Sequence, residues 1–114
     1  MIFVFAEDGT LEIAADLAAV RVMCEPIDVE SSVFRFYDAD GLPLVPRFTK
    51  PNRQRKIVGM VWSVTQGEFT LELAESPGQD PISVALLETA ALEPNPYFPD
   101  LNAVRQYLAT RGAI

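Results

Sequence analysis

Apolar and polar positions alternate along this chain in short blocks, most of them four to nine residues long. Ile2 to Ala6 is an apolar run that predicts a buried strand. Asp8-Gly9 accepts positive φ and predicts a tight turn, with Thr10 to Ile13 as the return strand. Leu17, Val20 and Cys24 recur at helical spacing, so Ala14 to Cys24 predicts a helix that Pro26 ends. Val33 to Tyr37 is a strand, with Phe34 and Phe36 on one face and Arg35 and Tyr37 on the other. Asp40-Gly41 turns the chain into a return strand over Leu42 to Val45. Pro43 and Pro46 remove donors and place that strand at an edge.

Thr49 to Lys56 is polar and basic, and predicts a loop. Ile57 to Thr65 carries apolar residues on both faces, which predicts a central strand. Gln66-Gly67 then turns the chain into Glu68 to Glu75, where Phe69, Leu71 and Leu73 alternate with polar residues; the two runs predict a hairpin. Asp80 and Pro81 open a mostly buried helix over Ile82 to Leu92. Glu93 to Pro99 is a proline-rich linker. Asp100 caps a last helix with Leu101, Val104 and Leu108 as its core stripe and Gly112 as its stop. Strands joined by short turns imply a meander. The expected fold class is α+β: a single antiparallel sheet of about four to six strands with helices packed on one face.

The length of 114 residues sets one domain, 1-114, and a chain this size buries roughly 65% of its unfolded surface. No apolar run is long enough for a membrane span, so no membrane partner is expected. The apolar N-terminus is short and lacks a basic flank, unlike a signal peptide. The lone Cys24 cannot form an internal disulfide, which fits a reducing, cytoplasmic setting, and it reads as a small buried residue. Charge is sorted. Arg47, Lys50, Arg53, Arg55 and Lys56 crowd one stretch of a chain whose formal charge is -7.

The chain has no histidine, which removes Ser-His-Asp and Cys-His catalysis and most zinc sites. No metal and no cofactor are expected. Paired carboxylates remain the one catalytic option, in a small enzyme or small-molecule-binding domain. Ile2 to Thr10 resembles the first motif of haloacid dehalogenase-like phosphatases, but Ala6 stands at the nucleophile position. Asp38-Ala39-Asp40-Gly41 brings its glycine too early for a calcium loop. The basic segment 47-56 reads either as a solvated loop pairing with acids of the body or as a phosphate contact in a regulatory or adaptor module, with Phe48 available to stack. The acidic body repels polyanions, so no nucleic-acid partner is expected. The acids Glu25, Asp28, Glu30, Asp38 and Asp40 read as loop solvation or as a patch that captures arginine and lysine.

The run Glu25-Pro26-Ile27-Asp28-Val29-Glu30, followed by the aromatic strand Val33 to Tyr37 and then Asp38-Ala39-Asp40-Gly41-Leu42, resembles a pattern in small acidic bacterial immunity proteins that neutralise secreted polymorphic toxins. The resemblance implies a non-catalytic antitoxin that binds a cognate toxin or effector domain and masks its active site through an acidic surface. It implies Glu25, Asp28, Glu30, Asp38 and Asp40 as the first binding residues. Glu68 and Glu72 on the last hairpin come second, and Tyr37 would be an aromatic anchor.

Overall fold

The structure, a computed structural model, describes residues 1–56, 62–75 and 79–114, with 54–56 and 62–65 described through their backbone. In chain order the elements are strands Ile2–Ala6 (β1) and Thr10–Ala14 (β2), then helices Leu17–Met23 (α1) and Pro26–Glu30 (α2). Strands Phe34–Tyr37 (β3), Pro43–Lys50 (β4), Arg53–Lys56 (β5), Trp62–Thr65 (β6) and Glu68–Leu73 (β7) follow. Helix Ile82–Leu87 (α3), strand Ala91–Leu92 (β8) and helix Leu101–Thr110 (α4) complete the chain. The class is α+β.

The main sheet runs β7-β4-β3-β1-β2-β8. It is antiparallel throughout except for β8, which lies parallel to β2. The expected buried helix over Ile82 to Leu92 therefore stops at Leu87, and its last two residues leave as an edge strand. Thr89 and Ala90 make the break, and the Ala90 N–H donates to the Gly9 carbonyl at 2.8 Å. The helix expected over Ala14 to Cys24 is also shorter. Ala14 pairs with Ile2 in the sheet, and the Asp16 carboxylate accepts from the Ala19 N–H at 2.9 Å to start α1. Pro26 ends α1 and opens α2 as its first residue.

Helices cover both faces of the sheet, which corrects the expectation of one. Side chains alternate across a strand, so each strand feeds two cores. Phe3, Phe5, Leu11, Ile13 and Tyr37 pack with Ile82 and Leu86 of α3 and Val104 and Leu108 of α4. Val4, Ala14, Phe36, Leu44 and Phe69 pack with Val20 of α1, Cys24 and Val29 of α2.

The basic segment forms strands where a loop is expected. Phe48 packs on Phe69 at 5.8 Å between ring centroids, and this cross-strand contact carries β4 out to Lys50 beside β7. The expected pairing of Ile57–Thr65 with Glu68–Glu75 does not form among the described residues. Residues 57–61 lie outside the described residues; the described part, β6, pairs with β5 in a separate two-stranded ribbon. Two nested strand pairs result, β4 with β7 and β5 with β6.

Asn52 marks the break between them. Its amide donates to the Pro26 carbonyl at 3.0 Å and to Glu30 Oε2 at 2.5 Å, and its Oδ1 accepts from the Gly67 N–H at 2.6 Å. A Cβ on Gly67 would collide with the Lys50 carbonyl oxygen, so only glycine permits this approach.

Candidate functional site

The sequence-derived binding residues do not converge on one face. Glu25 precedes the first turn of α2 without a side-chain cap bond and is exposed; Asp28, in the first turn, is half-buried. Glu30 is taken up by Asn52. Asp38 and Asp40 sit beyond the far end of β3, roughly 13 Å of strand away at 3.3 Å per residue. Asp38 Oδ1 accepts from the N–H groups of Asp40 and Leu42, both at 2.9 Å, and so builds the β3–β4 turn. Asp40 pairs with Arg111 at 2.7 Å, and the same guanidinium lies 4.7 Å above the Tyr107 ring. Glu68 and Glu72 pair across the ladder with Lys50 at 3.6 Å and Arg47 at 3.2 Å.

Tyr37 is corrected from surface anchor to core residue. It is fully buried, and its hydroxyl donates to the Asp80 carbonyl at 2.7 Å, tying β3 to the segment that leads into α3. Burial, more than any neighbouring charge, raises its pKa. The alternation across Val33–Tyr37 is right, but the second face is also core.

A different set of acids does converge. Glu7, Asp8, Glu12 and Glu93 line a concavity of about 310 Å³ whose remaining walls include Met23, Val33 and Phe34. Among the described residues, no lysine or arginine lines it. The fold builds this surface in three steps. The β1–β2 register sets Glu12 opposite Val4, on the face that α1 and α2 cover. The Glu7 N–H donates to the Val33 carbonyl at 2.9 Å, which draws the β1 end against the entry to β3. The Glu93 N–H donates to the Leu11 carbonyl at 2.9 Å, continuing the β2–β8 pairing and bringing Glu93 alongside Glu12.

The electrostatics follow this geometry. Partial burial raises the Glu12 pKa, and the neighbouring charges of Glu93 and Asp8 raise it further. Burial also pushes the Cys24 thiol up to about 12, with added push from Glu12 and Asp28. At neutral pH Cys24 is therefore a packed, protonated thiol. None of the sequence-derived candidates is among the residues lining the concavity.

Apolar groups complete it. Met23 is 42% exposed within the concavity, and its neighbour Val22 on α1 is 88% exposed. An exposed apolar centre beside clustered carboxylates suits a partner that brings both a basic side chain and an apolar one. Among the described residues, no group of three or more His, Cys, Asp or Glu is arranged to hold a metal ion. Glu12 had a signal in the sequence, as the one charged residue inside the alternating strand Thr10–Ala14. Glu93 had none, because only the parallel β2–β8 pairing brings it in.

Comparisons of this chain with protein-family models, curated proteins and solved structures find no match.

Proposed function

We propose that this chain is a binding protein without catalytic activity. It captures a cationic segment of a partner protein on the acidic concavity around Glu12 and acts as an immunity protein that masks a toxin or effector domain. The observation that carries the reading is the concavity itself, in which four carboxylates and an exposed methionine meet with no basic residue among the described lining groups. Elsewhere, Asp40, Glu68, Glu72, Asp80 and Glu88 already have arginine or lysine partners within the chain. The carboxylates of the concavity, with no arginine or lysine partner among the described residues, provide the steering field for a basic partner.

A carboxylate enzyme is supported less well, since Glu7, Asp8 and Glu93 are exposed and the acids do not close on a deep apolar pocket. The test is co-expression with the product of the neighbouring gene, scored by cell growth and by co-purification. The wild-type chain is expected to restore growth and to co-purify; E7K/E93K is expected to do neither while keeping its thermal unfolding transition. Protection and co-purification undiminished in E7K/E93K would remove this surface from the interface.

A further inference from the structure

We infer that Arg21 is a plug on the β7 edge of the main sheet, and that it stops a second copy of this chain from adding its own β7 there. The inference goes beyond the immunity reading and does not depend on it. The main sheet ends at β7 on one side and at β8 on the other. An edge strand presents backbone N–H and C=O groups that template pairing with another chain. β8 is two residues long and offers little to pair with, whereas β7 has six. Among the described residues, β7 pairs with β4 alone.

The β4–β7 register fixes which backbone groups of β7 face outward. The Ala74 N–H donates to the Pro43 carbonyl at 3.1 Å, so the bonded pairs of this antiparallel ladder recur at Glu72 with Val45 and at Thr70 with Arg47. Phe69, Leu71 and Leu73 fall at the intervening pairs, and their N–H and C=O groups point away from β4. Arg21, on α1, reaches the first of them. Its Nε and Nη2 donate to the Phe69 carbonyl at 3.0 and 2.9 Å. A carbonyl oxygen has two lone pairs, and this one guanidinium takes both.

The strand that this contact excludes is a second β7. Two copies running antiparallel about Leu71 set Leu71 opposite its counterpart, Phe69 opposite Leu73 of the other copy, and Thr70 opposite Glu72, so no like charges face each other. The pairing also lays Phe69 of one copy beside Leu73 of the other, which is 55% exposed in the single chain. In this register the outward N–H of Leu73 needs the Phe69 carbonyl of the other copy, and that is the acceptor Arg21 occupies. Two-fold symmetry repeats the block at both ends of the paired strands.

Sedimentation velocity of the full chain over a concentration series tests this, at physiological salt so that the formal charge of -7 on each copy is screened. The wild type is expected to stay monomeric. R21A is expected to associate about tenfold more tightly or better, with R21K between the two, because an ammonium reaches the same carbonyl without the fork. R21A/L71P is expected to be monomeric again, since a proline at 71 removes an outward N–H and no ladder bond to β4. Deuterium exchange supplies a local reading: the Leu71 and Leu73 amides are expected to exchange more slowly in concentrated than in dilute R21A. R21M, which keeps the apolar stem, repeats the first arm if R21A loses its thermal unfolding transition. R21A and R21M monomeric at every concentration, wild type associating as tightly as R21A, or association that survives L71P would each overturn the proposal.

Discussion

Gly67 shows most directly how one side chain sets this fold. Two strand pairs meet at its position, and a methyl group there would collide with the Lys50 carbonyl oxygen and stand 2.7 Å from the Pro51 carbonyl carbon. Both are backbone atoms and cannot move aside without disturbing β4. G67A is expected to cost about 1–3 kcal/mol, seen as a lower thermal midpoint. Tyr37 gives a smaller and cleaner effect. Y37F removes one hydrogen bond and leaves the Asp80 carbonyl without that donor, a loss of about 1 kcal/mol in chemical denaturation. Glu12 acts in the opposite direction. Its folded-state pKa is raised, so folding favours the protonated form. Its ionisation destabilises the fold above that raised pKa, and the cost fades as pH falls toward the ordinary value of 4.5. E12Q is therefore expected to stabilise the chain at neutral pH, by under about 1 kcal/mol given solvent screening. The advantage over wild type should shrink on acidification; an advantage that grows there would contradict the desolvated environment.

The elements were legible where pattern alone determines them. The Ile2–Ala6 strand, the Asp8-Gly9 turn and the Asp100-capped last helix need only local signals, and the structure contains all three. The Asp100 carboxylate accepts from the Ala103 N–H at 2.8 Å, as an N-cap should. Pairing was not legible. Two strands joined by Gln66-Gly67 look like a hairpin, yet β7 finds β4, because Phe48 and Phe69 pack together and Asn52 redirects the chain. The number of covered faces was hidden for a similar reason. The alternation of Phe36 and Tyr37 shows two faces without showing that helices from both ends of the chain supply two covers. Asn52 holds the ribbon to α2, so N52A is expected to act locally. Backbone amides of residues 53–56 should exchange faster with deuterium, while core strands β1 and β3 keep their protection. Equal loss of protection in the core would mean that Asn52 supports the whole sheet rather than the ribbon.

At the scale of the whole molecule, the sorting of charge in the sequence survives folding, but its address changes. The expected patch divides among a turn, a cross-strand ladder and a helix start, and much of it is matched by Arg47, Lys50 and Arg111. Four other acids, Glu7, Asp8, Glu12 and Glu93, gather at the β1–β2–β8 end from positions spread along the chain. Linear clustering picks out acids that are neighbours in sequence. A binding surface instead needs acids that the sheet order makes neighbours, and that order depends on β8, a two-residue strand with no signature of its own. The most direct measurement is an amide NMR titration of the isotope-labelled chain with the product of the neighbouring gene. Shifts concentrated at Glu7, Asp8, Glu12, Met23 and Glu93, and weakened by salt, are expected. Shifts confined to the Arg47–Glu72 ladder or the Asp38–Leu42 turn, with the concavity silent, would contradict the acidic surface as the site of capture.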